Sequence, residues 1–230
     1  MDSAIAIVNR ANQRGGRMLS IVDLLLAETL TLPQAAWLAA QVLGGRSFLV
    51  GARPGGAGKT TVMGALLGLL PRNEPVLLAA RGTGWESAAP GSCVVAYEIG
   101  RGHYEAYVWG ERLVQLTALR QRGCRIVTNL HADTLAEARA QIVEDCGAGE
   151  RGLAAFETFI PIETRGRGYS MQRRVGTMQW HDGADWRPWE PVTEPSPREK
   201  ACSAFLARCL EQGTRTLEAV RSAWLAADIR

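Results

Sequence analysis

The segment Arg53-Pro54-Gly55-Gly56-Ala57-Gly58-Lys59-Thr60-Thr61 holds the residue types that wrap a phosphate. Small residues from Gly55 to Gly58 let successive backbone N–H groups turn inward around phosphate oxygens. Lys59 can then reach the outer phosphates and the Thr60 hydroxyl can ligate Mg2+. The peptide groups up to Thr61 open a helix, whose N-terminal partial charge favours an anion. The expected nucleotide-binding residues are therefore Gly55, Gly56, Ala57, Gly58, Lys59, Thr60 and Thr61. Lysine usage sharpens this reading. Of 26 basic residues only Lys59 and Lys200 are lysines, so a chain that otherwise uses Arg places a slim ammonium where it would face the phosphates. The usual pattern opens with Gly where this chain has Arg53, whose side chain must point away from the ligand or touch it. The competing reading is a glycine-rich turn between a strand and a helix.

Phosphoryl chemistry needs more than a cradle. An acid at the end of a neighbouring strand must hold Mg2+ through water or orient the attacking water. Glu98 closes the apolar stretch Cys93-Val94-Val95-Ala96-Tyr97 and suits that task, which makes Thr60 and Glu98 the expected metal-associated pair. His131 closes another apolar stretch, in Thr128-Asn129-Leu130-His131-Ala132. Strand ends of a parallel sheet open onto the ligand crevice, so His131 could sense the γ-phosphate or transmit its loss. Alone, each is an ordinary strand-end side chain. Following a phosphate loop, Lys59, Glu98 and His131 read as a catalytic set acting on ATP with Mg2+.

The elements that must position these groups follow from patterning. An apolar strand over 46–50 precedes the loop and a helical pattern over 62–70 follows it. Upstream, Met18 to Ala27 reads as a helix, and Thr31 with Pro33 starts another that ends near Gly44-Gly45. Downstream come strands at Val76–Ala80 and Cys93–Tyr97, a helix from Tyr104 to Arg120, and a strand at Cys124–Thr128. Thr134-Leu135-Ala136-Glu137 is a capping-box sequence opening a helix to about Glu144. Phe156 to Ile162 and Met171 to Trp180 have β composition around a turn at Arg165–Tyr169. Ser196-Pro197-Arg198-Glu199 caps the first of two final helices, which are split at Gly213. Strands alternating with helices predict an α/β fold, a mostly parallel sheet covered on both faces. The expected organisation is an arm or helix fragment over 1–18, a core with a β-hairpin over 19–190, a proline-rich linker over 191–197, and a two-helix appendage over 198–230.

Composition bounds the partners. With 47% hydrophobic and 21% charged residues the chain suits a globular domain, and a net charge of +3 is too small to argue for nucleic acid. Asp23 and Glu28 interrupt the apolar run around Leu24 to Leu32, so no transmembrane span is expected. Asp2, Arg10 and Arg14 rule against a secretory leader. Five scattered cysteines without C-x-x-C spacing read as buried thiols of a cytoplasmic protein. Arg165, Arg167, Arg173 and Arg174 form a basic cluster that reads as a solvated hairpin tip. The other readings for it are a contact to a neighbouring subunit's nucleotide, to an acidic partner or to nucleic acid.

The order Gly58-Lys59-Thr60-Thr61, then Glu98, then Gly123 to Ala132 with His131, resembles the type II/type IV secretion and pilus-motor ATPase superfamily. The lead-in from Ser20 to Ala40 and the hairpin with Arg173-Arg174-Val175 share the likeness, which covers roughly residues 18 to 180. The resemblance implies a RecA-like P-loop core and a ring hexamer, bound peripherally at the inner face of a membrane to secretion or pilus machinery. It implies that ATP hydrolysis with Mg2+ moves subunits. The chain departs from the family at several points. Where the family has paired acids, this sequence reads Ala79-Ala80-Arg81, with only Glu86 near. The segment before Glu98 is shortened to Gly82–Ser92, and the family's separate N-terminal domain has little counterpart. Two rivals therefore stand beside a motor ATPase: a nucleotide-binding regulatory subunit that hydrolyses weakly, and a small P-loop kinase.

Overall fold

Apolar strands with no polar face can only be satisfied by cover on both sides, and the sheet is built that way. The computed structural model describes residues 2–12, 15–166 and 171–229. Its strands are β1 (Phe48–Gly51), β2 (Val76–Leu78), β3 (Cys93–Val95), β4 (Glu98–Ile99), β5 (Tyr107–Val108), β6 (Arg125–Leu130), β7 (Thr158–Arg165), β8 (Gln172–Val175), β9 (Gln179–His181) and β10 (Trp186–Pro188). The 10-stranded sheet runs β10-β9-β7-β1-β6-β3-β2, with β4 and β5 beside β6 and β8 beside β7. Pairing is parallel from β7 across to β2 and antiparallel at β8, β9 and β10. The expected mixed α/β fold with a largely parallel sheet is thus observed.

Alternation along each strand sends neighbours to opposite faces. Phe48, Val50, Val95 and Val127 join one buried cluster, while Leu49, Val94 and Ile126 join the other. The first face carries α1 (Ser3–Arg10), α2 (Ile21–Leu26), α3 (Leu32–Leu43), α4 (Lys59–Leu67), α8 (Pro197–Glu211) and α9 (Leu217–Ala227). The second carries α5 (Glu111–Ala118), α6 (Leu135–Arg139) and α7 (Gly149–Ala154). Among the described residues no helix is long and apolar enough to cross a membrane. All five cysteines are free and buried, as their scatter predicted.

Several expectations are corrected. Of the two readings for residues 1–18, the helical one holds: Asp2 caps α1, which buries Ala4, Ile5 and Val8. It lies directly on α4, where a Cβ at Gly64 would meet Val8 Cγ1 at 2.9 Å. The final helices do not stand apart as an appendage. Phe205, Leu206 and Trp224 belong to the same buried cluster as α3 and α4, and Trp224 donates to Leu69 O at 2.6 Å. Residues 104–110 are not helical, because Ala106 (φ 54) and Gly110 (φ 56) take left-handed backbone and Tyr107–Val108 pairs with β4. The helix after Thr134 continues past Arg139 as a π-helical turn, Ala140–Asp145. Its reciprocal cap is displaced by one residue, since the Glu137 carboxylate accepts from Asp133 N rather than Thr134 N. Arg14, Arg167 and the end of the turn at Tyr169 lie outside the described residues.

Candidate functional site

β1 ends at Gly51 and releases the chain into the Arg53–Gly58 loop at the carboxyl end of the parallel strands. Gly58 takes φ 101, a backbone that favours glycine, and starts α4 with no side-chain cap. The first N–H groups of α4 therefore keep their hydrogen-bonding capacity for something outside the helix. Lys59 is only 7% exposed. Its ammonium donates to Ala52 O at 3.2 Å and stands 3.3 and 3.4 Å from the two ring nitrogens of His131.

His131 is the joint of the site. It follows β6 directly; its Nδ1 lies 2.7 Å from Arg53 O, and its Nε2 lies 2.7 Å from Glu98 Oε1. A carbonyl can only accept, so the contact to Arg53 O calls for an N–H at Nδ1. Gln141, in the π-helical turn, donates to His131 O at 2.7 Å and fixes the residue from behind. The structure thus brings Lys59, His131 and Glu98 into one contact chain. It also amends the expected strand neighbourhood. β6 intervenes between β1 and β3, so Glu98 meets the loop's lysine across His131. Glu98 also begins β4, rather than closing a strand that ends at Val95.

These groups line a cleft of about 740 Å³, a volume typical of small-ligand sites. Gly55, Gly56, Ala57, Gly58, Thr60 and Thr61 line it with them. Among the described residues its carboxylates are Glu28 and Glu98, and Glu28 is paired with Arg174 at 2.8 Å. Tyr107 also faces the cleft; burial first, and the Glu98 carboxylate next, push its phenol up, which keeps it a neutral donor.

Arg53 points away from the cleft. Its guanidinium pairs with Glu137 at 2.7 Å, and its N–H donates to Asp133 Oδ1 at 2.7 Å. That contact fastens the loop entrance to the segment behind His131 and accounts for a large residue where glycine is usual. Glu86 does not reach the site. It lies in the 3₁₀ turn Trp85–Ser87, is exposed, and its carbonyl accepts from Arg122 at 2.8 Å. The end of β2, where an acid pair was looked for, is held by Arg112 donating to Ala79 O at 3.0 Å.

Two residues outside the expected site set lie against the loop and its helix. Asn129 is fully buried in β6; its amide nitrogen donates to Tyr97 O at 3.1 Å and lies 3.5 Å from Thr60 Oγ1. Its Oδ1 is buried without a hydrogen-bond partner. An amide near the end of the strand just before His131 was the available signal, since burying one without a partner is costly. Arg173, expected at a solvated tip, instead turns onto the loop: Nε and Nη2 each lie 3.2 Å from Gly56 O.

No family model matches the chain, and no curated protein matches it by sequence. Among solved structures it is similar to the VirB11 ATPase of the Brucella suis type IV secretion system, solved in complex with sulphate. The TM-score is 0.42 and the identity 13%, over 68% of this chain and 55% of that one. The chain therefore spans little more than half the length of that protein.

Proposed function

We propose that the chain binds a nucleoside triphosphate, ATP, with Mg2+ on the Gly55–Thr61 loop and hydrolyses it. The observation that carries this reading is the convergence, in one cleft, of an uncapped helix N-terminus with Lys59, His131 and Glu98. Backbone N–H groups and Lys59 would hold the phosphates. Glu98, kept in place by His131, would orient water, and His131 would register loss of the outer phosphate through its contacts to Lys59 and Arg53 O.

The site fits Mg2+ bound together with phosphates. No group of three His, Cys, Asp or Glu able to hold an ion is found among the described residues, which suits a cation that keeps its waters and few protein ligands. Thr60 and Glu98 would hold it, and Asn129, whose amide nitrogen lies 3.5 Å from Thr60 Oγ1 and whose Oδ1 is buried without a partner, would steady the Thr60 hydroxyl from behind. Bound there, Mg2+ would supply neutralisation of phosphate charge. A motor or assembly role in a secretion or pilus machine, as a ring hexamer at the inner face of the membrane, extends the proposal through the family resemblance.

One observation favours a second reading, a nucleotide-switched subunit with weak turnover: among the described residues the cleft offers no carboxylate beyond Glu98 that is not already paired with an arginine. The experiment is phosphate release from Mg·ATP with binding followed in parallel, for wild type, Lys59→Ala and Glu98→Gln. Lys59→Ala should weaken ATP binding at least about 100-fold and stop turnover. Glu98→Gln should spare binding and abolish release. Binding without release in the wild type would select the switch, and no binding at all would sink both readings.

A further inference from the structure

The charges around the cleft do not cancel, and the remainder points to Arg173. Arg17, at the rim, is bonded to Asp23 at 2.6 and 2.7 Å. Arg174 is paired with Glu28, and Glu98 with His131. Arg173 lines the same cleft and has no carboxylate partner among the described residues. Its guanidinium is instead engaged by neutral carbonyls, Gly56 O at 3.2 Å from both Nε and Nη2, and Met171 O at 3.3 Å from Nη1. The side chain also crosses the loop closely, for a Cβ at Gly58 would meet Arg173 Cδ at 3.3 Å.

A carbonyl is a weak partner for a full positive charge, and a phosphate oxygen is a much stronger one. The planar fork suits two oxygens of one phosphate, and the guanidinium gives up water more readily than an ammonium does. Lys59 lies buried at the floor of the cleft, on Ala52 O and His131. Arg173 comes from β8 and lies against the loop at Gly56 and Gly58. Under the nucleotide-binding reading the inner phosphates would be served by loop N–H groups and the helix N-terminus, so the charge added by an outermost phosphate is what a second cation would balance.

We propose that Arg173 is a ligand-reading residue supplied by the same chain: it leaves Gly56 O for the terminal phosphate of a bound nucleoside triphosphate and sets the preference for triphosphate over diphosphate. The inference rests on the nucleotide-binding reading above and goes beyond it in assigning that selectivity to β8. The test is calorimetric titration of a non-hydrolysable ATP analogue and of ADP, both with Mg2+, into wild type, Arg173→Ala and Arg173→Lys, with thermal melting of each protein alone. Arg173→Ala should weaken the triphosphate about 10- to 100-fold and ADP by less than about threefold, with Arg173→Lys between and melting unchanged. Equal losses for both nucleotides, or lowered melting with equal losses, would reduce Arg173 to a prop for the loop and overturn the inference. So would unchanged binding of both. Wild type that binds neither nucleotide overturns the underlying reading itself, a result separable from any Arg173 effect.

Discussion

The two ends of β1 hold two charge clusters built on opposite principles. At the amino end, both carboxylate oxygens of the buried Glu157 are paired. The carboxylate accepts from Arg46 at 2.5 Å, from Arg120 at 2.8 Å and from Ser47 N at 3.0 Å. At the carboxyl end, the helix N-terminus is uncapped, Asn129 Oδ1 lacks a donor, and Arg173 rests on carbonyls. Both clusters contain arginine and a strand-end acid, and a count of charged residues would not tell them apart. Satisfaction does: a saturated cluster supports the fold, whereas one with spare donors, a spare acceptor and surplus charge is arranged for a ligand. Even the strain at Glu157, a non-glycine residue at φ 39, is repaid within the closed cluster by its own partners.

If that contrast is right, breaking the closed end should harm stability and leave binding alone. Glu157→Ala strips the acceptor from two guanidinium groups and a buried N–H, a loss of about 2–3 kcal/mol. The melting temperature should drop by about 4–10 °C while ATP affinity stays within about twofold. A large loss of affinity with little change in melting would erase the distinction between the two ends.

The open end should answer in the opposite sense. Asn129→Leu removes an oxygen that is unpaired and a nitrogen that donates to Tyr97 O, so the stability lost without nucleotide should be about 1–2 kcal/mol, below that at the closed end. The strengthening of ATP binding by Mg2+ should fall about tenfold, read by titrating nucleotide with and without the cation. An unaltered Mg2+ effect would remove Asn129 from the metal's surroundings.

What could be read from the chain, and what could not, follows the same division between local and non-local chemistry. The glycine-rich loop, Glu98 and His131 could be picked out because each depends on residue type and on an adjacent apolar strand. Their mutual contact could not, because it depends on β6 lying between β1 and β3. The helix starts at Thr31 and Ser196 were readable from a capping residue followed by proline, and both caps form. The helix expected from Tyr104 starts only at Glu111, since periodicity does not register the left-handed backbone at Ala106. Arg173 looked like solvent-facing charge because the fold, rather than the neighbouring residues, carries β8 back over the loop.

A third cluster lies beside the cleft and is closed like that of Glu157, and its response to acid gives the mildest test of the contrast. Burial alone would push the Asp23 carboxyl up. Hydrogen bonds from Arg17, Ser20 N and Arg215 outweigh it and hold the carboxyl below its ordinary value. A carboxylate with a depressed folded-state pKa contributes stability that is complete above its unfolded value of about 4. That contribution is lost as pH falls through the folded value. Since Arg17 and Arg215 are about half exposed, the contribution is on the order of 1 kcal/mol. Asp23→Asn should therefore melt a few degrees below wild type at pH 7, and the gap should narrow steadily below about pH 4. ATP affinity at neutral pH should hardly move, because the network that Asp23 closes has nothing left to offer a phosphate. A melting gap independent of pH would mean that Asp23 acts by shape and capping rather than by charge.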